Sequence, residues 1–146
     1  MRRILLTASA AALALAGSLS TAFAWENRVV VQQYGNGNAA GVGQWGRGNF
    51  SQVYQNGRGN TAISSQYGRG NYAVTGQMGN GNYALTYSAG SNNISGIAQF
   101  GNNNAASAQQ YGRNNASAII QLGNGHQAQT MQYGNGNVSV IVQGGW

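Results

Sequence analysis

Acid–base and nucleophilic chemistry need titratable side chains held close together, and this sequence offers few. It has seven arginines, a single acidic residue, one histidine and no cysteine. The acid, Glu26, and the imidazole, His126, lie at opposite ends of the repeat region. A catalytic triad, a carboxylate pair or a metal cluster cannot be built from them, so no enzyme activity, metal or cofactor is expected. Gly41-Val42-Gly43-Gln44-Trp45-Gly46 spells G-x-G-x-x-G, but without the βαβ context and the following acid that give that motif meaning. Calcium-binding solenoids carry Asp in their turns, and there is no Asp here. Asn-x-Ser triplets at Asn49, Asn93, Asn115 and Asn137 arise from an internal repeat.

The chemistry these residues can do is amide hydrogen bonding. Glutamine recurs at every eleventh position, at Gln33, Gln44, Gln55, Gln66, Gln77, Gln99, Gln110, Gln121, Gln132 and Gln143, with Ser88 in the remaining slot. Two residues after each comes glycine, from Gly35 to Gly145, without exception. Five residues after comes asparagine, at Asn38, Asn49, Asn60, Asn71, Asn82, Asn93, Asn104, Asn115 and Asn137, with His126 in the other slot. Buried amides are costly unless bonded. Identical amides stacked one strand spacing apart, about 4.8 Å, can bond one another. These residues are therefore read as two kinds of ladder.

Ladders need elements that place equal residues above one another. Gly, Arg or Asn, Gly and Asn form the turn of each unit, because Gly and Asn tolerate positive φ. The six or seven residues between turns alternate in the manner of a strand, as in Tyr72–Met78 and Val138–Gln143. Each unit is a half-coil and two make a 22-residue coil with facing strands. The expected fold is all-β: a β-solenoid of 11-residue half-coils with cross-β stacking, residues 33–146 forming five coils and Val29–Tyr34 adding a strand.

Alternation points Ala40, Ser51, Ala62 and their equivalents inward, followed by Val42, Val53, Ser64 and theirs, then glutamine. One outward face carries Phe50, Tyr72, Met78, Ile94, Phe100, Leu122, Val138, Val140 and Val142; the other is more polar but bears Trp45, Tyr67, Tyr111 and Tyr133 in one slot. Exposed apolar surface marks an interface, so the first face is expected to pack on a neighbouring filament or surface. Ser88–Ala98 lacks the ladder glutamine and carries Gly90 and Gly96, which predicts a weaker coil.

Met1-Arg2-Arg3, the apolar run Ile4–Gly17 and Ala22-Phe23-Ala24 have the order of a secretory signal peptide. Residues 1–24 are therefore expected to be removed, with 25–32 a short N-terminal segment. Beyond residue 24, five arginines against Glu26 leave a net charge of +4. That is too weak a patch for a specific nucleic-acid partner, and no membrane insertion is expected.

The repeat resembles that of the curlins, the subunits of bacterial curli fibres. Their pattern, Ser-x5-Gln-x4-Asn-x5-Gln, is similar to Asn49-x5-Gln55-x4-Asn60-x5-Gln66 and to Asn115-x5-Gln121, with Asn in place of Ser. The resemblance implies a secreted subunit that passes an outer-membrane pore unfolded. It then polymerises outside the cell into functional amyloid serving adhesion and biofilm matrix. It also implies a homopolymer, with a curlin nucleator and the secretion pore as partners. Curlins usually carry a longer leader after cleavage than Trp25–Gln32. The regular, uncharged last coil favours a major subunit over a minor nucleator; a monomeric surface-binding solenoid is the other alternative, though Thr61, Thr75, Thr86 and Thr130 form no flat array. The end strands, free of Pro and acidic residues, are expected to template further copies. Arg47, Arg69 and Arg113 on one edge, with Arg58 opposite, are read as gatekeepers against premature aggregation, the alternative being solvated turn residues without a kinetic role.

Overall fold

The structure, a computed structural model, describes residues 26–145. The expected leader and cleavage site lie outside them. The described residues form eleven β-strands and no helix. They are β1 (Arg28–Asn36), β2 (Ala39–Arg47), β3 (Phe50–Arg58), β4 (Thr61–Arg69), β5 (Tyr72–Asn80), β6 (Tyr83–Ser91), β7 (Ile94–Asn102), β8 (Ala105–Arg113), β9 (Ala116–Asn124), β10 (Gln127–Asn135) and β11 (Val138–Gly145). Odd strands build a six-stranded parallel sheet in the order β1-β3-β5-β7-β9-β11. Even strands build a five-stranded one, β10-β8-β6-β4-β2. Every strand pairs with the one two further along, so that each residue lies on its equivalent one full coil later: Gln55 on Gln77, Gly57 on Gly79, Arg47 on Arg69. This is a β-solenoid of about five turns.

The strands are longer than the six or seven residues the alternation suggests. Pairing continues through the first glycine of each expected turn and the residue after it, as in Gly46↔Gly68 and Arg47↔Arg69. The reason is local. Gly79 has φ of 120° and Gly101 of 125°, which bends the chain around a corner while its pairing persists. A Cβ at Gly79 would run into the Gly101 carbonyl of the next coil. The recurrence of this glycine in every unit thus has two causes, a positive φ and a backbone in contact. The second turn position needs only positive φ, and Asn92, Asn103 and Asn114 occupy it at 55–57° where other units have glycine.

The first strand begins at Arg28, inside the segment set apart as 25–32. Asn27 already fills the asparagine slot, so the solenoid takes up most of that segment. Gly96 does not interrupt β7, which runs unbroken and pairs on both sides.

The core is narrow. Ala84, Ile97, Ala106, Ala108 and Ile119 form its apolar centre, with Ala128 and Ile141 packed on it. The rest of the interior is polar: the inward glutamines of the middle coils, the asparagines and several hydroxyls are buried. Ser51 donates to Ser64 across the interior at 2.9 Å, whereas the hydroxyls of Thr86, Ser95 and Ser117 are buried without a partner.

Candidate functional site: amide columns and open edges

The inward glutamines stand in two columns. On the six-stranded sheet the column is continuous: Gln33 donates to Gln55, Gln55 to Gln77, Gln77 to Gln99, Gln99 to Gln121 and Gln121 to Gln143, each from Nε2 to Oε1 at 2.7–2.9 Å. On the five-stranded sheet Gln44 donates to Gln66 and Gln110 to Gln132, but Ser88 interrupts the run. Its hydroxyl reaches Gln110 Oε1 only at 3.4 Å. From Gln44 onward the second hydrogen of each glutamine amide crosses to the opposite sheet: Gln99 Nε2 donates to the Tyr83 carbonyl at 3.0 Å, Gln110 Nε2 to that of Ile94 at 2.8 Å. One amide therefore joins successive coils and ties the two sheets together.

The asparagines stand at the corners and bond more densely. Asn93 donates from its backbone N and from Nδ2 to Asn71 Oδ1, both at 3.1 Å, and from Nδ2 to the Gly112 carbonyl at 3.0 Å. Its own Oδ1 accepts the same pair of bonds from Asn115. Such sharing satisfies a buried corner that would otherwise leave polar groups without partners. His126 takes the slot by imitation. Its backbone N donates to Asn104 Oδ1 at 2.9 Å, and its Nε2 lies 3.2 Å from the carbonyls of Leu122 and Gly145, where an asparagine Nδ2 would donate. What the imidazole lacks is an amide oxygen to offer onward.

Three features of this site escape the sequence reading. Asn27 starts one corner column: its Oδ1 accepts from Asn49 N at 2.9 Å. The signal is present, since Asn27 lies one half-coil before Asn38. A second, outer asparagine column runs Asn80, Asn102 and Asn124, with Asn80 Nδ2 donating to Asn102 Oδ1 at 3.0 Å and Asn102 Nδ2 to Asn124 Oδ1 at 2.9 Å. Arg58 occupies the same slot on β3, beside Asn80. The third is Tyr87. The outward aromatic column loses its ring at Ala89, and Tyr87, two residues earlier on the same face, leans into the gap. Trp45 stacks on Tyr67 at 4.5 Å, Tyr67 meets Tyr87 at 5.6 Å, Tyr87 meets Tyr111 at 5.2 Å and Tyr111 stacks on Tyr133 at 4.8 Å. Burial pushes the Tyr87 phenol above its ordinary value, and Tyr111 and Tyr67 add in the same direction.

At each end of the described solenoid the strands have one pairing neighbour: β1 and β2 at one end, β10 and β11 at the other. Of their inward residues, Val29 and Val31 of β1 are exposed, whereas Thr130 and Gln132 of β10 are buried. Among the described residues no three His, Cys, Asp or Glu side chains come together to hold a metal.

A coil of this length with glutamine and asparagine columns has a counterpart among known repeats. The family model of the curlin associated repeat matches residues 26–57 and 101–129. These two segments are curlin repeats. Between the matched segments, β4 to β7 keep the same pairing and, Ser88 apart, the same glutamine and asparagine slots, so the coil continues without a change of architecture. No curated protein matches the chain.

Proposed function

We propose that this curlin-repeat chain is a structural subunit, exported by a cleaved leader at residues 1–24, that stacks into extracellular amyloid fibres of a cell-surface matrix. The observation carrying this reading is that both backbone ladders and the glutamine column of the six-stranded sheet run to both ends of the described solenoid, where no described residue covers the free edges of the end strands. Soluble β-proteins blunt such edges with charge, proline or a covering segment. Here the edge strands are regular, and each end presents what the other needs.

Growth needs only backbone pairing and amide bonding, so no nucleotide or metal enters the mechanism. The ladder residues act as one site: the glutamines hold sheets and coils together, and the asparagines fix the corners. A nucleating curlin and an outer-membrane pore are the partners this reading implies, and the major-subunit role is the one favoured. Arg47 and Arg69, adjacent in register on β2 and β4, place like charges one coil apart. In this reading they slow pairing of the unfolded chain during export.

The test is direct. The chain from Trp25 onward, purified unfolded and diluted to micromolar concentration, is followed by thioflavin-T fluorescence and imaged. Fibres appearing after a lag that seeds abolish are the expected outcome. A soluble product that stays a discrete particle overturns the reading.

A further inference from the structure

The described solenoid has an odd number of half-coils, and this decides how two copies fit. The eleventh strand, β11, ends on the same sheet where β1 began. Continuing the coil, the next vacant place lies on β10, in the other sheet. If β1 of an incoming copy sat on β11 instead, the place above β10 would be left empty, with a row of unpaired backbone groups enclosed in the fibre.

Resting on the assembly reading above, we propose that successive copies stack with a half-turn about the fibre axis: β1 of one copy pairs with β10 of the copy before it, and β2 with β11. The six-stranded face of one subunit then continues into the five-stranded face of the next.

Three observations support this register. Backbone pairing is complete only in this arrangement, since both sheets advance without a gap. The glutamine columns also continue with the right polarity. Within the chain each laddered glutamine donates to its equivalent in the next coil. Gln132 and Gln143 each spend one Nε2 hydrogen on a carbonyl, that of Ala116 and that of Gln127, leaving the other for the next coil. In the half-turn register they meet the Oε1 atoms of Gln33 and Gln44 of the incoming copy. The third observation is independent of the amides. Tyr133 ends the aromatic column of the five-stranded sheet and is 65 % exposed; Tyr34 on β1 is 54 % exposed. The half-turn puts Tyr34 of the incoming copy in the next slot above Tyr133, so the ring stack crosses the junction onto Tyr34 and the Tyr54 ring beside it. Trp45 of that copy falls above Gly144, which has no side chain to obstruct it. Without the half-turn, Tyr34 would lie over Gly144 and the aromatic column would break at each junction. The corner column at His126 does not carry across, because the imidazole offers no amide oxygen; Asn137 Oδ1 remains to accept from Asn38 of the incoming copy.

The consequence is a fibre whose sides alternate. Each side shows the Val- and Phe-bearing face of one subunit, then the other face of the next. Helical reconstruction of fibres of the chain from Trp25 onward tests this. With strands about 4.8 Å apart, five and a half rungs give a rise of about 26 Å per subunit with a half-turn. Stacking without the half-turn spans six rungs, about 29 Å, with only the sheet twist between subunits. Met78→Cys, at an exposed outward position on β5, gives a gold label with which to see the alternation directly: labels on both sides of a single fibre in turn are expected, and labels along one side overturn the inference while leaving assembly intact. As a second arm, deleting Ser88–Ala98 keeps the slots in phase and leaves ten half-coils. It should abolish the half-turn and bring the rise to about 24 Å; a retained half-turn would contradict the parity argument. A failure of the unmodified chain to form any fibre would instead sink the assembly reading itself.

Discussion

At Ser88 the glutamine column of the five-stranded sheet is broken, and the amide that would reach the Tyr72 carbonyl is absent. Glutamine fits this slot in every other unit, so Ser88→Gln should restore the missing bonds. Each is worth about 0.5–1.5 kcal/mol net, and fibres of the variant should need more denaturant to dissolve. Ser95 and Ser117 make the opposite case. Their hydroxyls are buried without partners, in a slot where Ala73 and Ala84 sit fully buried. Replacing either by alanine should stabilise by roughly 1 kcal/mol, read as a raised denaturation midpoint. The two turn glycines should differ sharply. Gly101→Ala meets both a φ of 125° and the Gly123 backbone and should block folding and assembly. Gly59→Asn, at a φ of 63° with nothing within 4 Å of an added Cβ, should assemble as the unmodified chain does. Tyrosine ionisation sets a direction with pH. The Tyr87 phenol is held above its ordinary value by burial and its tyrosine neighbours, so its contribution to stability is complete below about pH 10. It fades as pH rises through the folded-state value. Fibres should loosen in strong alkali, and Tyr87→Phe should move that loosening to higher pH, as followed by phenolate absorbance and turbidity.

Among the strands, the two outward faces differ less than alternation implies. Val138, Val140 and Val142 make β11 the most apolar exposed strand, but Ile63, Tyr83 and Met131 are exposed on the other sheet. Changing those three valines to threonine should reduce bundling, seen as thinner assemblies in electron micrographs, without stopping elongation, since threonine keeps strand preference. The edge arginines give a kinetic prediction. Arg47→Asn with Arg69→Asn puts asparagine where Asn80, Asn102 and Asn124 form an outer column on the opposite sheet, so the lag in thioflavin-T traces should shorten; an unchanged lag removes the gatekeeper role.

How far these elements are legible follows from what repeats. The recurring interval reveals the coil, the facing strands and the glutamine and asparagine slots, because a residue that must stack on its own kind has to recur in register. What escapes is whatever breaks the period. Tyr87 fills the gap at Ala89 from a different slot, which only side-chain placement shows. The strands extend past the alternating stretch because Gly79 and its equivalents turn a corner while still pairing, and positive φ there reads as a turn in sequence. Asn27 is hard to see although it sits in phase, since no glutamine or glycine of a preceding unit marks it.

In the proposed fibre the whole molecule is a column of strands whose end strands, each with one pairing neighbour among the described residues, take up further copies of the chain. The family match is to a repeat, and the geometry supplies the reason such a repeat can lengthen without limit: each coil buries its polar interior only against another coil. The measurement that tests this most directly is X-ray diffraction from aligned assemblies of the chain. Stacked coils should give a sharp meridional reflection at about 4.7–4.8 Å, the strand spacing along the fibre axis. Aligned material without that reflection would contradict the proposed fibre.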